Sequence, residues 1–148
     1  MHTEHLQNVR ATRVAAGWLV AVAVTSLAAL VAVGFQLVDA AAQFGTTWTL
    51  ATVIVGFFAG GFFAGFRAIQ APILHGIAIG LASLVVWVVV NAIASVAFGA
   101  LEWAGLTAGL AVALVLAQMV AAVIGALMGY NIALRGKPGL SEHEPLAE

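Results

Sequence analysis

Four long apolar runs alternate with short polar stretches along this chain. The runs cover residues 14–38, 48–66, 73–98 and 106–134, and none contains Asp, Glu, Lys or Arg. A helix of about 20 apolar residues crosses the hydrocarbon core of a bilayer. In lipid only helices or closed barrels satisfy the backbone, and the strict apolar–polar alternation of a barrel strand is missing here. The pattern therefore predicts an all-α, polytopic membrane protein with four transmembrane helices in an antiparallel bundle. The membrane domain is expected over residues 14–135, between a polar head (1–13) and a flexible polar tail (136–148). Only residues 67–72 join the second and third spans, and so short a connection makes the two helices antiparallel neighbours. Pro72 fits the first turn of the third helix, where its missing N–H has no partner to lose.

Within the runs, small residues recur every fourth position. The fourth span carries Gly105, Gly109, Ala113, Ala117, Ala121, Gly125, Gly129 and Ala133. Residues four apart share a helix face, and in lipid a small face lets two backbones approach and pack by dispersion. Such a row drifts by about 40° per step around a helix of 3.6 residues per turn. Its outer part, 105–117, is therefore expected to face one neighbour and its inner part, 121–133, another. A plain bias toward Ala and Gly is the competing explanation.

The second span has a small stripe, Thr52, Gly56, Gly60 and Ala64, and a further glycine pair, Gly61 and Gly65. Phe58, Phe62 and Phe66 lie about 160° around the helix from that stripe. Lipid is the expected neighbour of this row, with a second subunit or a flat cofactor as the alternative. Shorter stripes are Gly17, Ala21, Thr25 and Ala29 in the first span and Gly76 and Gly80 in the third. Gly61-x3-Gly65-Phe66 and Gly125-x3-Gly129-Tyr130 also match each other at a separation of about 64 residues, as two parallel helix-hairpin repeats would. Glycine-rich helices can match by composition alone, so both origins stay open.

Composition reinforces the membrane reading. The chain is 64% hydrophobic and 7% charged, whereas soluble domains carry about 25% charged residues. All five Lys and Arg fall on one expected side: Arg10 and Arg13 before the first span, Arg67 after the second, Arg135 and Lys137 after the fourth. Asp39 and Glu102 lie in the opposite loops. The positive-inside rule then places both termini in the cytoplasm. The first run is too long for the apolar region of a signal peptide, so it is expected to remain as a span. Without cysteine, the chain cannot form disulfides, thiolate metal sites or cysteine-ligated iron–sulfur clusters from its own residues.

Candidate chemistry is sparse. Asn91 and Gln118 are intramembrane polar residues, and such residues mark either interhelical hydrogen bonds or a permeation path. The hydrogen-bonding role is the expected one, and the two could meet if the third and fourth helices pack side by side. His75, near the cytoplasmic boundary with Gly76 and Gly80 beside it, is a possible ligand for a tetrapyrrole metal. No second buried His exists to complete a six-coordinate haem, and no cofactor or metal is expected. Intramembrane carboxylate pairs, nucleophile triads, HExxH motifs and phosphate-binding loops are all missing, so no enzyme is expected and no catalytic residue is assigned. Without a basic patch, nucleic acid is not an expected partner.

The stretch Gly60-Gly61-Phe62-Phe63-Ala64-Gly65-Phe66-Arg67-Ala68, followed by His75-Gly76-x3-Gly80, resembles small four-span prokaryotic membrane proteins of uncharacterised function. That resemblance implies the same four-span fold and a bacterial or archaeal origin, hence the inner membrane, and supplies no activity. The expected role is a small structural or accessory subunit, in contact with lipid and with other membrane chains or copies of itself. The alternative is a homo-oligomeric channel or carrier for a small solute. Topology reporters fused at Gly45 and Gly99 should read outside, and those at Ala71 and Gly136 should read cytoplasmic. An N-terminus found outside, or a mature chain beginning near Gln43, contradicts this arrangement.

Overall fold

The computed structural model describes residues 9–37, 46–68, 71–98 and 108–135. Asp39, Glu102, Gly105, Lys137 and the polar tail lie outside the described residues, as does most of the polar head. The elements are α1 (Ala11–Gly34), α2 (Thr46–Arg67), α3 (Pro72–Phe98) and α4 (Ala108–Arg135). Their lengths are 24, 22, 27 and 28 residues, and all four are long and apolar enough to cross a membrane. α1 begins before residue 14, so Arg13 lies in its first turn.

Contacts between glycines and their neighbours set the directions. Gly17 lies against Gly60 and Ala64, while Gly56 lies against Ala21 and Thr25. The numbering runs oppositely, so α1 and α2 are antiparallel. Gly76 meets Val123 and Gly80 meets Met119, which makes α3 and α4 antiparallel too. Gly61 meets Ala122 and Gly65 meets Ala126, so α2 and α4 run parallel. This parallel pair has the most extensive contact in the bundle.

α2 is the hub because it is small on two sides. Gly60 and Gly61 are adjacent, so their Cα atoms point about 100° apart. A Cβ added at Gly60 would strike the Gly17 carbonyl oxygen of α1, and one at Gly61 would strike the Ala122 carbonyl oxygen of α4. Gly65, Gly125 and Gly129 face the carbonyl oxygens of Ala126, Phe58 and Phe62 in the same way. Close backbone approach of this kind brings Cα–H donors toward carbonyl acceptors, at about 0.5–1 kcal/mol each. With α1 and α4 on different sides of α2, those two helices share almost no contact. α3 completes the bundle against the other three, with Ile79 fully buried and its tip beside Gly17.

The α2–α4 contact is reciprocal. Adding 64 converts Gly61 into Gly125 and Phe58 into Ala122, and Gly61 meets Ala122 just as Gly125 meets Phe58. Gly65 with Ala126 and Gly129 with Phe62 repeat the exchange one turn on. The centre of the bundle thus has local two-fold geometry, as paired repeats require. The flanks depart from it. α1 covers Gly56, Gly60 and Ala64 on α2, but their counterparts on α4, Val120, Ile124 and Met128, are exposed. α3 uses the adjacent face of α4, at Met119 and Val123.

Two expectations need correction. Ala113 is exposed and Ala117 only half-buried, because the drifting row has rotated away from α2 by that height. Gly109 lies in α4 at a position whose surroundings are not described. Of the inner part, Ala121, Gly125 and Gly129 are buried and Ala133 is half-buried. The Phe row does not simply face lipid either. Phe58 and Phe62 are half-buried with their backbone beneath Gly125 and Gly129, and only Phe66 is exposed. The Phe62 and Phe66 rings stack with centroids 6.2 Å apart.

α1 ends in a Schellman arrangement: Leu37 N–H donates to the Ala32 carbonyl and Gln36 N–H to that of Val33. Gln36 takes the left-handed position, with φ 55°, where glycine is the usual residue.

Even a methyl group is too large at the α2–α4 contact. Gly125→Ala should destabilise the bundle by about 1–3 kcal/mol through overpacking. Gly34→Ala, where a Cβ meets nothing within 4 Å, should be neutral or slightly stabilising. Thermal unfolding in detergent measures both, with Val120→Leu on an exposed face as a further neutral control. Equal tolerance at the three positions would reduce the small row to mere composition.

Candidate functional site

The helix directions gather the described ionisable side chains at one end. Arg10 and Arg13 stand at the start of α1, Arg67 ends α2, His75 lies in the first turns of α3 and Arg135 ends α4. Among the described residues there is no Asp or Glu.

His75 is the most enclosed of these groups, at 0% exposure. Its Nδ1 lies 2.8 Å from the Ala71 carbonyl oxygen. Its Nε2 lies at a long 3.4 Å from the backbone N–H of Arg10. A backbone N–H can only donate, so Nε2 accepts; Nδ1 then carries the proton and donates to Ala71. Ala71 has φ 53°, a left-handed conformation that costs a non-glycine residue energy. Its carbonyl also accepts the His75 backbone N–H at 3.2 Å. One histidine therefore supports a strained turn before α3 and ties it to the residue preceding α1.

This geometry alters the expected chemistry of His75. Ligation through Nε2 would use the lone pair that now accepts from Arg10, and ligation through Nδ1 would remove the proton donated to Ala71. Among the described residues no group of three His, Cys, Asp or Glu side chains is placed to hold a metal ion. As placed, the ring works as a latch between the Ala71 carbonyl and the Arg10 N–H.

The backbone register sets the two intramembrane polar positions at different heights. The α3–α4 register set by Gly76 with Val123 and Gly80 with Met119 places Gln118 level with Leu81 and Asn91 level with Ala108. The backbones at positions 91 and 118 are thus offset by nearly three turns, about 15 Å along the helix axis, while the surroundings of the Asn91 side chain lie outside the described residues. The Gln118 Oε1, the Thr25 Oγ1 and the Trp18 Nε1 are buried without a hydrogen-bond partner. Thr25 and Trp18 belong to α1 and Gln118 to α4, helices that scarcely touch. Thr52, by contrast, donates back to its own helix, with the Trp48 and Thr49 carbonyl oxygens both at 3.0 Å. Among the described residues, what the arrangement builds is close helix packing.

No known family model matches this chain, and no match is found among curated proteins or solved structures.

Two features escape a sequence reading. Ala122 and Ala126 are fully buried and form the α4 surface under Gly61 and Gly65. They sit one residue beyond the row spaced by four, and the doublets Ala121-Ala122 and Gly125-Ala126 are their only trace. The bond from Arg10 to His75 joins positions 65 residues apart and leaves no periodic signal.

Loss of the latch should be measurable. His75→Ala is expected to cost about 1–3 kcal/mol, because it removes a fully buried side chain together with its hydrogen bonds to the Ala71 and Arg10 backbone. His75→Asn, which can still reach the Ala71 carbonyl, should cost less. The visible absorption spectrum of the purified protein should be the same before and after His75→Ala; a band lost in the variant would restore a ligand role.

Proposed function

We propose that this small membrane protein is a non-catalytic assembly subunit, acting through helix–helix contacts with other chains or with copies of itself. The site of action we assign is the inner membrane of a prokaryote, with both termini cytoplasmic, as the distribution of Lys and Arg supports. The observation that carries the reading is the outer half of α3. Every residue from 84 to 90 is exposed, and about two turns of helix present all faces over that length. Val85, Val88, Val89 and Val90 are each about half exposed. This run of exposed apolar surface offers contact area to neighbouring membrane chains.

The buried, unpartnered Gln118 oxygen favours one second reading, a homo-oligomeric channel or carrier. The backbone-to-backbone α2–α4 contact leaves no room for a wet path between those two helices.

A photo-crosslinking residue at Val89 or Ile93, in the native membrane, should give a discrete protein adduct. The same residue at Leu27, on the exposed side of α1, should give mainly lipid adducts. Lipid adducts alone at every position argue against an assembly subunit. Saturable solute uptake into liposomes by the wild-type protein, abolished in a correctly folded Gln118→Leu variant, would establish the channel or carrier instead.

A further inference from the structure

A cleft opens between the start of α1 and the end of α2. Its volume is about 490 Å³, and it is lined by Thr12, Arg13, Ala16, Phe63, Ala64 and Arg67. The lining has two parts. Ala16, Phe63 and Ala64 form an apolar floor toward the membrane interior. Thr12, Arg13 and Arg67 are its polar lining residues and lie nearer the helix ends. The Arg67 guanidinium is held over the Phe63 ring, 4.6 Å from its centroid. A cation stacked on a ring face keeps its in-plane N–H donors free. With no carboxylate among the described residues, neither arginine has an acidic partner there.

We infer that this cleft is a binding site for the headgroup of an anionic phospholipid. Two arginines lining one cleft suit the oxygens of a phosphodiester, which arginine recognises with paired donors. The apolar floor fits the glycerol and upper acyl region of a lipid, which a free phosphate ion does not possess. The position agrees: both arginines are at helix ends, where a spanning bundle meets the headgroup layer, and cations near that surface attract anionic lipid. Arg67 is preorganised by Phe63, so less side-chain freedom is lost when the headgroup binds. This site is independent of the partner contacts proposed above, and its test leaves that reading untouched.

The full-length protein in mild detergent, titrated with phosphatidylglycerol and separately with phosphatidylcholine, can be followed by native mass spectrometry. Phosphatidylglycerol should be retained in clear preference. Arg13→Gln combined with Arg67→Gln should weaken its retention about tenfold or more, while Arg135→Gln, at the same end but outside the cleft, should change it less than about twofold. The double Lys variant should recover most of the binding, since the charge remains. If the double Gln variant fails to fold, Phe63→Leu replaces it: charge is kept, the support under Arg67 is lost, and retention should fall about threefold. Equal retention of the two lipids overturns the proposal, as does an equal loss in Arg135→Gln, which indicates diffuse surface charge. Inorganic phosphate that binds the protein and displaces the lipid at similar concentration marks a free-phosphate site. A preference appearing only after Glu142, Glu144 and Glu148 are all changed to Gln means that the protein's own tail occupies the cleft, and also overturns the proposal.

Discussion

Everything in this bundle depends on two adjacent residues without side chains. Gly60 and Gly61 let α2 touch a backbone on each of two sides at the same height in the membrane. Lipid tails are as apolar as leucine, so burial supplies little drive for helices to associate, and close dispersion contact must do so. A methyl group at either position would open one of the two contacts. Because α2 alone meets α1 and α4 in this way, loosening it would separate the helices that do not otherwise meet. The extra backbone freedom of glycine, a liability in an ordinary helix, is tolerated here because so much packing rests on it.

The centre and the flanks obey different rules. Between α2 and α4 the contacts exchange under a shift of 64, so each helix offers the other glycines and receives a backbone carbonyl. Two parallel helices with such a pattern can meet only about an axis along their own direction. Outside that pair the likeness lapses, because Val120, Ile124 and Met128 are too large to accept a helix as Gly56, Gly60 and Ala64 do. α3 is displaced to the next face and leaves part of its length unaccompanied. A symmetric seam with unequal flanks leaves α2 covered by α1 where the matching face of α4 is exposed.

Much of this architecture is legible in the sequence. The number of spans, their short connections and the small stripes of α2 follow from run length and spacing alone. The glycines at 61, 65, 125 and 129 announce close packing, although a row cannot say which helix it will meet. The limits are physical. A row spaced by four rotates around its helix, so Ala113 belongs to it in sequence and faces outward in space. Asn91 and Gln118 share a polar character, but their separation depends on the register of α3 against α4, which side-chain volumes at Gly76 and Gly80 determine. The turn at Ala71 depends on a histidine and on a backbone donor at the far end of the chain. No local pattern encodes that.

The latch at His75 has a consequence for the order of assembly. The α1–α2 contact joins segments close in the chain and can form as soon as the first hairpin is in the bilayer. Arg10 cannot find its acceptor until residue 75 has been synthesised, and Gly61 cannot meet Ala122 until α4 arrives. During biogenesis the chain must therefore persist as a half-built hairpin, its glycine face open to lipid or to whatever insertion machinery shields it. Completion seals the centre and the arginine-bearing end last, so failure to insert α4 would leave a conspicuously unfinished surface for quality-control proteases to recognise.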